Sequence, residues 1–517
     1  MKKTKKWLTF SSSVMLTASL VLSACSISNT ATPASSDNKS GGKPAAPTEI
    51  SLEVISYADQ FIDDTNSLWK EFEKRTNTKL KIDWISANTF EDKINVLLAS
   101  GNLPDLTFVE DITAAPVGPQ IRNMIKQGAF WDLTPFLKDY PNLSAPEMKA
   151  SFDNAKIDGK NYTIPRYYPS YGGGVFPILR KDWLDKLGLK VPETMDEFYT
   201  TLKAFKEKDP DGNGKADTIP YSANPDYIGY VINIFNNSQG NWKLRDDGKL
   251  YPIITEPATK DAMLWIKKAY DEGLFPADFA ILNFSQINDV FQSGKAGGAG
   301  YAMNNAWGRL EPIKKVDPKA ELIPVTALAG PSGNKYTPSG APFYGHYLIP
   351  KKVSEDKLKK ILAFMDYGYG KEGNKLARFG ISGIHYNEVN GKIVPTEQAK
   401  KDLVTTNLMD SVFHEIDEYS AVSASGMTDE FFARQKQIVD ERKKVKVPRP
   451  DETLVSDAYN KYYSEIKKKA ADMRVKVILG KATIQEYDDF ITKLSADANL
   501  QLMTKEMNEV YQSQMKK

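Results

Sequence analysis

Ser51-Leu-Glu-Val-Ile-Ser-Tyr57, Leu80-Lys-Ile-Asp-Trp-Ile85 and Leu106-Thr-Phe-Val109 decide the fold of this chain through what lies between them. The first is a strand candidate, and the second alternates apolar and polar side chains as a half-buried strand does. Between them, Thr65 to Thr76 places Leu68, Trp69 and Phe72 at helical spacing. After the second, Asn88-Thr-Phe-Glu91 offers a capping box before Ile94, Leu97 and Leu98, and Asn102-Leu-Pro-Asp105 turns the chain into the third strand. Strand, helix, strand, helix, strand implies a parallel sheet flanked by helices, and ligands of such sheets bind beyond the carboxyl ends of the strands. Tyr57 and Glu110 stand at two such ends, although either could equally be a surface loop residue.

About 470 residues follow position 48, too many for a single core, so two lobes or more are expected. Lysine and arginine number 68 against 66 acids, which leaves no electrostatic footprint for nucleic acid. With one cysteine in the whole chain, no disulfide can staple the fold, which must rest on core size.

The amino terminus carries an export signal. Met1 to Lys6 hold four lysines, and Trp7 to Ala24 is uncharged and largely apolar. That run ends in Leu22-Ser-Ala-Cys25, which resembles the bacterial lipobox: residues 1–24 would be cut away and the Cys25 thiol diacylated. The alternative is a transmembrane anchor, for which the apolar run is short. Residues 25–48, mostly Ser, Thr, Ala, Pro, Gly and Asn, read as the lipidated cysteine and a flexible tether.

Three stretches further on share a family likeness. The first runs from Gly172 through Arg180-Lys-Asp-Trp-Leu-Asp-Lys-Leu-Gly188, a short helix ended by glycine, to a capping box at Thr194 and Glu197. The second is Phe291-Gln-Ser-Gly-Lys-Ala-Gly297, continuing to Tyr301-Ala-Met-Asn-Asn-Ala-Trp307, and the third is Pro342-Phe-Tyr-Gly-His-Tyr-Leu-Ile-Pro350. In this order they resemble extracellular solute-binding proteins of the maltose-binding type. The nearest likeness is to the large Firmicute lipoproteins that serve oligosaccharides and to alginate-binding proteins. The end of the chain agrees, where Gly480, Thr483 and Glu486 stop one helix and cap the next.

This resemblance implies an α/β, two-lobed periplasmic-binding-protein type II fold with three interlobe crossings, near 165–175, 285–297 and 343–350, and a helical C-terminal extension. The first lobe would hold 49–165 and 291–345; the second would hold 166–290 and 346–517. The protein would be a monomer on the extracellular face of the membrane, held there by lipid alone. It would bind an oligosaccharide in the interlobe cleft and deliver it to separate ABC-transporter permeases. Trp307 would stack on a sugar face, with packing as a core residue the alternative, and Asn305 would bond hydroxyls. Arg166, Tyr168 and Tyr171 flank the first crossing and Tyr344 and His346 the last. Arg166 could pair a uronate carboxylate or an internal acid.

Asp209-Pro-Asp-Gly-Asn-Gly-Lys-Ala-Asp-Thr-Ile-Pro220 sets Asp209, Asp211, Asn213 and Asp217 at loop positions 1, 3, 5 and 9, with the Lys215 carbonyl at 7. That alternation about a glycine bend suits a structural Ca2+ ion. Pro220 replaces the closing Glu of an EF-hand, and Thr218 stands where the alginate-binding relatives usually have an acid. A solvated turn is the alternative.

Catalysis finds little support in the sequence. His414-Glu-Ile-Asp-Glu418 lacks the second histidine of a zinc helix, and no nucleophile elbow or phosphate loop occurs. His346, His385 and His414 read as core or surface residues, His346 alone being placed to touch ligand. The competing class is a lipid-anchored glycoside hydrolase, which needs only two carboxylates facing a cleft.

Overall fold

The computed structural model describes residues 46–515 apart from 59, 111–117, 172–173, 304, 405–408, 410, 414–415, 425, 453 and 455. Cys25 and His414 lie outside the described residues.

The decisive stretch folds as its pattern predicts. Strand β1 (Thr48–Ser56) pairs in parallel with β2 (Thr78–Ser86) over nine residues, from Thr48 opposite Thr78 to Ser56 opposite Ser86. Strand β3 (Leu106–Val109) lies along the other edge of β1, Leu52 opposite Leu106. Between them, helix α1 (Ser67–Thr76) begins at Asn66, whose side chain accepts the Leu68 and Trp69 N–H groups, and it buries Leu68, Trp69 and Phe72. Helix α2 (Phe90–Ser100) departs from expectation. Its N-cap is Thr89, which makes no side-chain cap bond. The helix starts one residue later than expected, which leaves Asn88 outside the N-cap position, and the Asn88 amide donates to Ser285 Oγ at 3.1 Å in the other lobe.

From β4 (Thr163–Tyr167) the chain crosses to β5 (Phe176–Arg180), which opens the second lobe. There α3 (Met195–Glu207) starts at the expected capping box, with Thr194 accepting from the Glu197 amide, and buries Phe198, Leu202 and Phe205. Helix α4 (Phe284–Gln292), β6 (Gly298–Tyr301), α5 (Asn305–Val316) and β7 (Leu322–Pro324) follow. β6 and β7 flank β5, antiparallel to it. The chain then returns as β8 (Phe343–Leu348), which slots antiparallel between β3 and β4 to give the order β2-β1-β3-β8-β4.

That path corrects the expected lobe boundaries. The expectation puts residues 291–345 in the first lobe, but Phe291, Ala299, Ile313 and Leu322 pack with Ile178 of β5 in the second. The physical reason lies in Gly298 and Gly300. A side chain at Gly298 would strike Leu179 and Tyr221, and one at Gly300 would come within 2.6 Å of the Tyr227 carbonyl, so β6 fits closely against its own lobe. Conversely, the described residues between 346 and 413 belong to the first lobe, where Tyr347, Leu348, Ile361, Leu362 and Phe413 complete the core under β1. Helix α6 (Lys371–Phe379) lies in this part. The chain therefore crosses between Tyr167 and Phe176, between Tyr336 and Phe343, and between Phe413 and Val422, the last replacing the expected crossing at 285–297.

Beyond it, α7 (Asp429–Arg442) and α8 (Asp457–Ile478) contribute Ile438, Val439, Val477 and Ile478 to the second lobe. Helix α9 (Ile484–Ser495) starts at the expected Thr483 and Glu486 capping box. With α8, α10 (Ala498–Met515) packs Met503 and Met507 near Trp242, Tyr459 and Tyr463, forming the helical extension.

Candidate functional site

The parallel strands of the first sheet aim their carboxyl ends at the second lobe, and aromatic side chains gather there. Tyr57, directly after β1, donates its hydroxyl to Glu110 Oε1 at 2.7 Å and touches the Tyr344 hydroxyl. Beneath them the Arg166 guanidinium lies 4.8 Å from the Phe108 ring centre and 4.9 Å from that of Tyr344, in cation–π geometry. Tyr168 packs its ring 5.9 Å from Tyr344. The Tyr57 ring is 43% exposed, but its hydroxyl end is crowded. Desolvation there, followed by the Glu110 charge, holds its phenol well above the ordinary value.

The second lobe meets this group with its own rings. An Asn283 and Gln286 capping box fixes the start of α4 and sets Phe284 edge-on to Tyr57, 5.9 Å between centres. Phe284 stacks on Tyr227 at 5.5 Å, and Arg309 lies over both Phe284 and Tyr301. The Asn88 to Ser285 hydrogen bond joins the lobes at the same edge.

Of the residues singled out in the sequence, Tyr57, Glu110, Arg166, Tyr168 and Tyr344 are brought together. Asn305 heads α5 with its amide donating to the Ala302 carbonyl at 3.3 Å, and it shares a helix face with Arg309 four residues on. Trp307, two residues along, points to another face, where its partly buried ring meets Phe431 edge-on at 5.2 Å. Tyr171 packs against the second-lobe core, and its carbonyl accepts from Arg442.

His346 is corrected. It is fully buried in the first sheet, with Nδ1 3.1 Å from Thr163 Oγ1 and its ring 4.5 Å from Phe343, so it cannot meet a ligand. Strict alternation would put Tyr344 and His346 on one face. The register of β8 shifts between Phe343 and His346, and Gly345 there adopts φ +77°, so Tyr344 reaches the cleft while His346 turns inward. Burial pulls the imidazole down to about 3. Tyr227, Phe284 and Arg309 were not anticipated. The capping box before Phe284 is legible in sequence, but nothing local says which lobe that helix end faces.

The 209–220 loop is bent by positive φ at Asp209, Gly212 and Gly214. Asn213 Nδ2 donates to Asp211 Oδ2 at 2.7 Å and Asp217 Oδ1 at 2.9 Å, while Asp209 Oδ2 accepts the Gly214 N–H. Asp209 Oδ1 is enclosed without a hydrogen-bond partner. Burial and the neighbouring Asp209 raise Asp211, whereas hydrogen bonds, first from Asp211, hold Asp209 low. The Thr218 hydroxyl turns away to the Phe205 carbonyl at the end of α3. Among the described residues no group of three or more His, Cys, Asp or Glu is arranged to hold a metal ion. The carboxylates here are gathered about an amide.

One constellation has the ingredients of nucleophilic catalysis but not the wiring. Ser67 Oγ donates to Asp402 Oδ2 at 2.6 Å and lies 3.1 Å from His385 Nε2, which is itself 2.8 Å from the same carboxylate oxygen. His385 Nδ1 accepts the Ile381 N–H, so Nε2 carries the proton and donates it to Asp402. A nucleophile needs its imidazole between serine and acid; here the acid takes both protons and fastens α1 to the loop at 402.

Two α/β lobes joined by three crossings, with rings from both lobes packed against one another where the lobes meet, are the architecture of a receptor that captures a solute between its lobes. The bacterial extracellular solute-binding protein family matches residues 58–375, and the chain belongs to that family. It is thus a binding protein and not an enzyme. Lipoprotein LipO of Bacillus subtilis (strain 168) is 32% identical over 98% of each chain. The polygalacturonan/rhamnogalacturonan-binding protein YtcQ of the same organism is 32% identical over 91% of this chain and 92% of its own. In structure, an EF-hand mutant of the Streptococcus pneumoniae ABC-transporter substrate-binding protein FusA, in complex with fructo-nystose, superimposes with a TM-score of 0.63. It is 20% identical, over 91% of this chain and all of that one. No helix among the described residues is long and apolar enough to cross a membrane.

Proposed function

We propose that this chain is the lipid-anchored receptor of an ABC importer, holding an oligosaccharide between its lobes on the extracellular face and presenting it to separate permeases. The observation that carries this reading is the ring cluster split between lobes: Tyr57, Tyr168 and Tyr344 on one side, Tyr227 and Phe284 on the other. Sugar rings present apolar C–H faces edged with hydroxyls. Aromatic faces cover the former, and Glu110, Asn305 and the tyrosine hydroxyls serve the latter. Lobe closure about the crossings would form the state the permeases accept. Membrane attachment rests on acylated Cys25, and the receptor acts as a monomer.

The 209–220 loop is read as a structural calcium site in the second lobe. Asp209, Asp211, Asn213, Asp217 and the Lys215 carbonyl form the oxygen set, and a half-turn of the Asn213 amide would exchange its donor for an acceptor at the hub. The enclosed Asp209 Oδ1 supports this fit. The EF-hand named for FusA is a parallel for such a loop.

A thermal-shift screen with plant, fructan and algal oligosaccharides tests the central claim, since a ligand at a hundredfold over Kd stabilises by about 2.7 kcal/mol. The sugar should be recovered uncleaved. Tyr344→Ala should weaken binding of the sugar found by more than about 1 kcal/mol, and Trp307→Ala by a like amount only if its exposed edge stacks on sugar. A screen in which no oligosaccharide shifts the melt would overturn the reading. Intact mass should show two or more acyl chains on Cys25 and none in Cys25→Ser.

A further inference from the structure

Ligand capture by closure requires two rigid bodies and bending confined to the crossings. Two of the crossings run side by side as a ribbon: the Tyr168 N–H donates to the Pro342 carbonyl and the Gly340 N–H to that of Ser170. What fixes the ends of this ribbon, and of the third crossing, is one type of side chain used three times.

Arg442, at the end of α7, is 1% exposed. Its Nη1 donates to the Tyr171 carbonyl in the first crossing at 3.4 Å, its Nη2 to Val325 at 2.7 Å, and its Nε to Thr326 at 3.2 Å. The Thr326 carbonyl also accepts the hydroxyl of Thr337, where the second crossing begins. The same guanidinium lies 3.4 Å from the sulfur of Met303, two residues before α5 and Asn305. Arg378 of α6, 4% exposed, reaches the third crossing from the first lobe, donating to the Ser420 carbonyl at 3.0 Å and to that of Ser423. Arg166, also 4% exposed, holds the Ser411 carbonyl at 2.7 Å on the approach to that crossing.

Buried guanidinium groups are costly, and burial pulls Arg442 down to about 9. Apart from the Met303 sulfur, the acceptors named for these guanidinium groups are main-chain carbonyls, which no neutral side chain could gather from three segments at once with a planar fork of five donors. We propose that Arg442, Arg378 and Arg166 are positioning residues of the hinge, clamping the backbone on either side of the crossings so that bending is confined between them. Arg166 is thereby a hinge clamp and not the partner of a ligand carboxylate. The functional sense of this inference rests on the solute-capture reading, but its test needs no ligand.

Hydrogen exchange on the full-length lipidated protein in detergent, read by mass spectrometry, separates local from global effects. In Arg442→Met, amides of 168–171 and 337–342 should exchange about tenfold faster or more, with those of β1 and β5 within about twofold of wild type. In Arg378→Met the acceleration should move to 416–423. Arg442→Lys, which keeps the charge and three of the donors, should give a smaller acceleration at the same places and supplies the answer if Arg442→Met fails to fold. Equal acceleration in β1 and β5, or crossing amides that exchange as in wild type, would overturn the proposal; absence of any sugar response would leave this result untouched.

Discussion

His346→Gln separates a buried core histidine from a ligand-binding one by pH. The imidazole is enclosed in β8, and burial lowers it from about 6.5 to about 3. The native state therefore keeps it neutral while the unfolded chain takes up a proton below pH 6.5, so its contribution is fully present above 6.5 and is lost as pH falls from there towards 3. At pH 4.5 the unfolded imidazole is nearly all protonated and the native one nearly all neutral. The loss is about two pH units' worth of linkage, about 2.7 kcal/mol. Urea unfolding of wild type and His346→Gln at pH 7.5 and 4.5 reads this directly, because the carboxylates contribute alike to both proteins and cancel in the difference. Wild type should lose about 2.7 kcal/mol more than the variant between the two conditions. Equal losses, or an imidazole that titrates near 6.5 in the folded protein, would refute the burial argument and return His346 to the cleft.

Glu53, 1% exposed in β1 with neither carboxyl oxygen hydrogen-bonded, is pushed up to about 7 by burial, which Lys93 opposes and Asp83 reinforces. The native state holds a proton that the unfolded chain releases near 4.5, so stability falls as pH rises through 4.5 to 7. Glu53→Gln should stabilise by up to about 3 kcal/mol at pH 8 and by less than about 1 kcal/mol at pH 5; equal gains at both would contradict the assignment. Gly345→Ala would place a methyl 2.3 Å from the Phe108 ring at φ +77°. It should cost about 3–5 kcal/mol and displace Tyr344, and a melting curve matching wild type would show that the bulge is not required. Chelation should lower the melting temperature and calcium restore it, with a dissociation constant of about 10⁻⁵ to 10⁻³ M. Asp209→Ala with Asp211→Ala should abolish that response, and indifference of wild type to both treatments would leave the loop a solvated turn.

Local chemistry in the sequence was enough to determine the β1-α1-β2-α2-β3 run, the caps at Thr194 and Thr483, and the family likeness, because strand alternation, helical spacing and capping each depend on neighbours within a few residues. The carboxyl-end rule also put Tyr57 and Glu110 at neighbouring strand ends, where the two side chains meet, since strand direction follows from that same run. Tertiary structure alone decided where the chain recrosses. Gly298 to Tyr301 and Phe343 to Leu348 are both short, apolar and glycine-containing, and their partners were settled by the space available beside β5 and between β3 and β4. It also decided the fate of individual side chains. One bulge at Gly345 separated Tyr344 from His346, a helix face parted Trp307 from Asn305 and Arg309, and Asn88, one residue short of the helix cap, reached Ser285. Each of these turns on a partner between 124 and 197 residues away or on a shift of one residue in register, and neither leaves a mark on composition or periodicity.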